Sequence, residues 1–316
     1  MLYTVTLNPA LDYVVHTPML SPGSVQRAYS ATLTPAGKGI NVARMLVQLG
    51  KPVQAVGFKA GWTGDAVEEA MKALGCAGPF FSLGEGQTRI NVKLRHGEET
   101  DINLPGPPVP PVAWMELMHW VASVPVPGDT VVLSGSVPPP LGEDAYAAIL
   151  ILLAPGVRAV VDAEGDLLRH TLAHHPFLIK PNREELSALM GRSMDTEEDI
   201  LRSARDLHRA GARNVLVSLG KDGAVLVNEG GVWKREAPVV DVCNTVGAGD
   251  AMLAGFLYGY DETEGNEAQK LSAALDWGIA AGSATAACEG IADAEAVHIT
   301  CGETWQISRG SRGSHQ

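Results

Sequence analysis

The stretch with the clearest chemistry is Asn244-Thr245-Val246-Gly247-Ala248-Gly249-Asp250, which runs straight into the apolar segment Ala251 to Tyr260. Two glycines and a small alanine let the backbone curl tightly, so successive N–H groups point into one concavity. The apolar run reads as a helix, whose dipole adds its positive end to that concavity. An anion-binding turn with a carboxylate at its rim suits a hydroxyl attacking a phosphate. Asp250 takes the proton, and the Gly247-Ala248-Gly249 turn holds the charge that develops. On spacing alone, a glycine-rich turn followed by a helix-capping aspartate fits equally well. Two other phosphate loops are excluded: a Rossmann fingerprint needs glycine where Met252 stands, and a P-loop needs Gly-Lys-Ser/Thr.

Further polar residues have a functional and a plain reading. Ala36-Gly37-Lys38-Gly39-Ile40-Asn41-Val42-Ala43 opens a helix that ends at Gly50. Its first amides and the Lys38 ammonium offer a phosphate site; the plain reading is an exposed loop lysine. Arg89 lies on the polar face of the strand Thr88 to Leu94, where an arginine commonly discourages edge pairing. Its planar fork also suits phosphate better than an ammonium does. Asp12, just past Asn8-Pro9, is by itself a turn residue bonded to its own backbone, and Ser136 after the strand Thr130 to Leu133 is another. In Lys180-Pro181-Asn182-Arg183-Glu184-Glu185 the proline forces an extended entry, and Asn182 and Glu185 are spaced as a capping box. Ala281-Gly282-Ser283-Ala284 lies within a helix from Leu271 to Ala287 and permits either a flat ring or tight helix packing. His170 and His174 lack a third ligand at useful spacing and read as surface histidines.

The elements that must position these residues alternate strand and helix over most of the chain, which predicts a mostly parallel sheet covered on both faces. Two polar segments, within residues 12–34 and 88–103, break that alternation as hairpins and should form a small sheet over the site. Gly64-Asp65 is read as the start of one helix, and Pro105 to Pro111 as a stiff connector. A chain of 316 residues accommodates one large α/β domain with such an appendage. A formal net charge of −12 argues against nucleic acid and anionic membrane as partners. It also requires that any phosphorylated ligand be met by a few cations gathered in one place. No apolar run is long enough to span a bilayer, and Met1 to Val5 begins at once as a strand without the features of a signal peptide. Cys76, Cys243, Cys288 and Cys301 form no C-x-x-C pair, which points to reduced thiols and a cytoplasmic address.

Thr245 to Asp250 resembles the Thr-x-Gly-Ala-Gly-Asp signature of the ribokinase-like (PfkB) family of sugar kinases. Ala36 to Asn41 resembles the same family's Gly-Gly-Lys-Gly-x-Asn signature, with Ala36 for the first glycine. Motifs match from Asn8 to Ser283, nearly the full length. The resemblance implies a three-layer α/β sandwich over residues 1–307 with a β-sheet lid; the tail, 308–316, has no apolar periodicity and reads as disordered, its Arg-Gly-Ser run looking like an expression scar. It implies that Asp250 is the catalytic base and Gly247-Ala248-Gly249 the anion hole. Asp12, Gly39 and Asn41 would hold sugar hydroxyls, with Ser136 facing the sugar. Lys38, Arg89 and Arg27 would hold a phosphate already on the substrate. Lys180, Ser218, Gly220, Thr245, Gly247, Gly249, Gly282 and Ser283 would meet the nucleotide. Asn182 and Glu185 would organise magnesium, largely through waters. Thr88 to Leu94 with the Thr100-Asp101 pair resembles the branch acting on fructose 1-phosphate. The implied reaction is therefore magnesium- and ATP-dependent phosphorylation of a ketohexose phosphate, fructose 1-phosphate at its 6-hydroxyl first. Tagatose 6-phosphate and fructose 6-phosphate are the alternatives. Similar kinases pair through their lids, so a homodimer is expected. A catalytically dead sugar-phosphate sensor is the rival from another class, and intact Asp250, Asn182 and Glu185 argue against it.

Overall fold

Runs such as Val131-Val132-Leu133 and Val215-Leu216-Val217 are too continuous for a sheet wetted on one face, and suit strands buried on both. A computed structural model, which describes residues 1–97 and 99–310 with side chains up to residue 302, shows where they lie. The strands are β1 (Leu2–Thr6), β2 (Ala10–His16), β3 (Ser30–Ala36), β4 (Val53–Lys59), β5 (Ala77–Ser82), β6 (Arg89–Arg95), β7 (Glu99–Ile102), β8 (Thr130–Ser134), β9 (Arg158–Asp162), β10 (Leu178–Ile179), β11 (Asn214–Ser218), β12 (Ala224–Asn228) and β13 (Gly231–Arg235).

One nine-stranded sheet has the order β13-β12-β11-β10-β9-β8-β1-β4-β5. From β5 to β11 the strands run parallel, and β12 and β13 close one edge as an antiparallel meander. Successive side chains leave opposite faces, so each strand feeds two cores. Leu2, Val132, Val160 and Leu216 enter the core shared with the helices Lys38–Gln48, Gly61–Ala73, Ala248–Glu262, Glu267–Ala286 and Ala294–Gly310. Tyr3, Val131, Val161 and Val215 enter the other, with Pro111–Ser123, Ala145–Leu152, Gly165–Arg169, Arg183–Met190 and Glu197–Arg209. The expected three layers are the observed ones.

The four remaining strands form the small sheet, in the order β3-β2-β6-β7. Its centre is a parallel pair, β2 with β6, in register from Ala10↔Arg89 to His16↔Arg95. β3 and β7 flank that pair as antiparallel hairpin partners. The chain passes from large sheet to lid at Asn8-Pro9. There Asn8 Nδ2 donates to Pro105 O at 3.1 Å and Ser136 Oγ at 3.2 Å, tying the hinge to the connector and to the loop after β8.

Some boundaries differ from the sequence expectation. The second helix starts at Gly61, not Gly64. Gly64 sits inside its first turn because a Cβ there would stand 2.8 Å from both Lys59 Cβ and Thr88 Oγ1. The alanine-rich helix starts at Glu267, where Asn266 and Gln269 form a capping box that the small-residue pattern concealed. The last helix runs to Gly310, so residues 308–310 are helical rather than the start of a disordered tail; residues 311–316 lie outside the described residues.

The helices Ala248–Glu262 and Glu267–Ala286 meet through glycines. A Cβ on Gly255 would come within 2.7 Å of Ala281 Cβ and overlap the Trp277 carbonyl. Alanine is favoured over glycine in a helix by about 1 kcal/mol, whereas overpacking a tight contact costs about 1–3 kcal/mol. Against backbone the second effect wins, so Gly255→Ala should lower Tm in a thermal melt. A raised Tm would mean that these helices sit further apart than described.

Candidate active site

The site forms where β1, β8, β9 and β10 end, on the carboxyl edge of the parallel sheet, where open α/β sheets hold their ligands. The turn before Ala248–Glu262 is shaped by Gly247, which caps the helix in the left-handed region at φ 80. Asn244 Oδ1 accepts the Val246 amide at 2.9 Å, and Ala248 N donates to Thr245 O at 3.3 Å. The Cys243 and Asn244 amides both donate to Ala286 O, at 2.8 and 3.1 Å, which anchors the approach to the turn. Among the described residues the Gly249 and Asp250 amides bond no backbone acceptor, as the first amides of a helix commonly do not. A Cβ on Gly249 would lie 3.4 Å from Lys180 Nζ, so the missing side chain is where the lysine ammonium approaches the turn.

Asp250 is 7% exposed, and its Oδ2 accepts from Asn41 Nδ2 at 2.8 Å. Burial and then the like charge of Asp162 push its pKa up to about 6, against the Asn41 hydrogen bond and the charges of Lys180 and Lys38. Asp162, the last residue of β9, is fully buried between two ammonium groups. Lys38 Nζ is 3.2 Å from its Oδ1, and Lys180 Nζ is 3.1 Å from its Oδ2. Burial by itself would raise the Asp162 pKa; Lys180 and Lys38 hold it below the usual carboxylate range. Lys38 also meets Glu185 Oε1 at 3.3 Å and Glu164 Oε1 at 3.8 Å. Desolvation would lower the Lys38 pKa, but the carboxylates of Asp162, Glu185 and Asp250 outweigh it and raise it.

Asn182 and Glu185 form the capping box that their spacing suggested. Glu185 N donates to Asn182 Oδ1 at 2.7 Å, and Asn182 N donates to Glu185 Oε2 at 2.9 Å. The other Glu185 oxygen is the one that meets Lys38. Among the described residues no group of three or more His, Cys, Asp or Glu is arranged to hold a metal. Asn182 Oδ1 and Glu185 Oε1 are oxygen donors of the kind a magnesium ion takes while it keeps most of its water. Ser218 ends β11 and bridges Asn182 in parallel; Gly220 (φ 58) and Thr245 are exposed, and Ser283 is half-buried. Gly282 is buried, and a Cβ there would stand 3.2 Å from Ala248 O and 3.3 Å from Met252 Cβ. At that position the small residue serves helix packing.

A cleft of about 360 Å³ leads from Asp250 towards the lid, lined by Asn41, Lys38, Ser136, Arg89, Lys93 and Asn103 among others. Gly39 lies beneath it, pressed on Thr6 and with Ser134 Oγ 3.2 Å from where its Cβ would be. Asp12 Oδ1 accepts from Asn91 Nδ2 at 2.8 Å. Arg89 donates to Leu104 O at 3.0 Å and Asn8 O at 2.9 Å, and makes no ion pair among the described residues. Lys38 and Arg89 line one cleft, with the Lys38 ammonium turned onto Asp162 and Glu185. Arg27 is exposed in the loop between β2 and β3 and does not line the cleft. Sequence reasoning missed Asp162, Asn91 and Lys93. For Asp162 the available signal is a carboxylate at the carboxyl end of a parallel strand. Asn91 and Lys93 follow Arg89 at alternate positions and share its face.

This geometry agrees with what known proteins share with the chain. Residues 6–296 match the pfkB family of carbohydrate kinases. The 1-phosphofructokinase of Bacillus subtilis (strain 168) is 36% identical over 94% of this chain and 96% of its own length. The D-tagatose-1-phosphate kinase of Bacillus licheniformis is 34% identical over 96% and 98%. The crystal structure of a putative phosphofructokinase from Staphylococcus aureus superposes with a TM-score of 0.83 at 35% identity, covering 96% of this chain and 97% of that one. With the anion turn, the buried carboxylate and nearly the whole sequence in agreement, the chain belongs to the pfkB family of carbohydrate kinases.

Proposed function

We propose that the protein transfers the terminal phosphate of ATP to the 6-hydroxyl of fructose 1-phosphate, giving fructose 1,6-bisphosphate. The observation that carries this reading is the Asp250 carboxylate, buried at the head of the anion turn and opening onto a cleft whose far wall bears lid cations. A pKa near 6 keeps Asp250 ionised at neutral pH yet basic enough to accept the hydroxyl proton as the phosphate is attacked. Asn41 orients the carboxylate, and the Gly249 and Asp250 amides with the Lys180 ammonium meet the charge on the transferring group. Most of the catalysis is positioning. Asn182 and Glu185 would hold magnesium through water, and that ion would neutralise phosphate charge. D-tagatose 1-phosphate is a second reading, supported by the name of the B. licheniformis relative. It keeps the phosphate at the same end and differs at one carbon.

The lid also carries a partner-facing surface. On the side away from Asp12 and Arg89, Leu33, Tyr13, Val92 and Ile102 stand in one register row across all four strands. Leu33, Tyr13 and Ile102 are 45%, 43% and 51% exposed. An apolar sheet face of this kind is expected to be covered, which supports a homodimer through the lid. Arg27 would then reach the neighbouring site. A cytoplasmic address is supported by four free thiols; among the described residues no helix is long and apolar enough to cross a membrane.

A coupled ADP-release assay tests the substrate. Fructose 1-phosphate should exceed fructose 6-phosphate and tagatose 6-phosphate in kcat/KM, with free fructose and ribose barely reacting. Tagatose 1-phosphate as the best substrate would favour the second reading, and free ribose as the best would remove both.

The base is tested by Asp250→Asn, which should lower kcat roughly 10²–10⁴-fold while sugar-phosphate affinity changes little. In the wild type a base with a raised pKa is lost as pH falls through it, so kcat/KM should decline below about pH 6. Asp162→Asn removes the like charge and should move that limb to lower pH. The displacement between the two proteins is the readout, because phosphate substrates titrate in the same range. An unmoved limb would mean that Asp162 does not act on Asp250. For the lid, light scattering at assay concentration should give twice the mass of one chain; a monomer there would remove the dimer.

A further inference from the structure

Three polar side chains, Arg89, Asn91 and Lys93, occupy alternate positions on the cleft side of β6. Asn91 is committed within the lid, donating to Asp12 and accepting the Leu104 amide at 3.3 Å. Lys93 is 6% exposed, its Nζ 2.7 Å from Asp101 Oδ2 and 3.2 Å from Asn103 Oδ1. Removing an ammonium from water is costly, and the Asp101 pair offsets much of that. Asp101, however, is shared: its other oxygen takes Arg95 at 3.0 Å. An ammonium has three N–H donors, so two contacts leave one for the cleft that Lys93 lines.

The distribution of charge along the cleft separates its two ends. At the Asp250 end, Lys38 is matched by Asp162, Glu185 and Glu164. At the lid end, Arg89 is held by carbonyls alone, and Lys93 leans on half of one carboxylate. Their Cα atoms lie roughly 13 Å apart along the strand, a gap that two extended side chains close on a group between them. Asn103 adds a carboxamide NH2 whose oxygen is already turned to Lys93.

We propose that Lys93, with Asn103, holds the existing phosphate of the substrate at the lid end of the cleft and so selects a ketohexose phosphorylated at the end remote from the attacked hydroxyl. Lys38 stays with the transfer end. This rests on the reading of the site as a fructose 1-phosphate kinase and assigns the second cation that accompanies Arg89.

The test compares full-length wild type with Lys93→Met, Lys93→Arg and Asn103→Asp. Each is assayed by steady-state kinetics and by calorimetric binding of fructose 1-phosphate. Losing a charge-assisted contact should raise KM and Kd for fructose 1-phosphate roughly ten- to a hundredfold in Lys93→Met. kcat and the KM for ATP should stay within about threefold, and Lys93→Arg should recover most of the loss. Asn103→Asp, an exposed change that sets a negative charge beside the ammonium, should weaken binding similarly and covers the case in which Lys93→Met does not fold. A purely structural role for Lys93 would lower kcat and ATP affinity together with sugar affinity, or leave fructose 1-phosphate binding intact in Asn103→Asp, and either outcome overturns the proposal. A wild type that turns over fructose 1-phosphate while Lys93→Met binds it normally defeats this inference alone. A wild type that neither binds nor phosphorylates it defeats the functional reading as well.

Discussion

A buried carboxylate held between one buried and one half-buried ammonium group joins the parts of this enzyme. Asp162 ends β9, Lys180 follows β10, and Lys38 opens the first helix after the lid strands, so three separate segments meet at one charge. None of the three is well placed without the others. An unpaired carboxylate with no exposure would be costly, and removing either lysine leaves much of that penalty uncompensated. The same charge acts on the neighbouring Asp250, raising its pKa, while the two lysines limit the rise. Fixing the two lysines and raising the Asp250 pKa are thus two consequences of one constraint.

The large sheet makes that meeting possible. Parallel strands buried on both faces must be covered by helices, which leaves their carboxyl edge as the open crevice. β8 and β9 bring Ser134 and Asp162 to that edge side by side, in register, and β1 continues past it through Asn8-Pro9 into the lid. The lid lacks a closed core of its own. One of its faces carries the polar row of Arg89, Asn91 and Lys93, and the other an apolar row that spans all four strands. Alternation along β6 alone sends the two sets to opposite sides, so one strand contributes both to the cleft and to the apolar face of the lid.

Much of this was legible in the chain itself. The αβ alternation, the glycine turn before Asp250, the capping box of Asn182 and Glu185, and the polar character of the lid strands are local patterns, each enforced by backbone geometry over a few residues. The boundaries that moved did so for reasons local patterns hide. Gly64 answers to Thr88 across space, and Gly282 to the carbonyl of Ala248 on another helix. A small residue reports that something is close, not what it is.

The side chains' electrostatic partners were decided only in three dimensions. The types of Lys38 and Arg89 suggested one clamp on one phosphate, yet Lys38 finds Asp162, 124 positions away, while Arg89 finds the carbonyls of Asn8 and Leu104. Asp250 finds Asn41 across 209 positions. Which charges meet depends on strand order and register, and those follow from how the whole apolar surface is buried. By itself the sequence determined the glycine turn and the Asp250 carboxylate that follows it, because tight turns and helix starts are local in origin. Tertiary structure decided which partners each cation finds along the cleft, because electrostatic pairing is set by distance and burial after the sheet has formed.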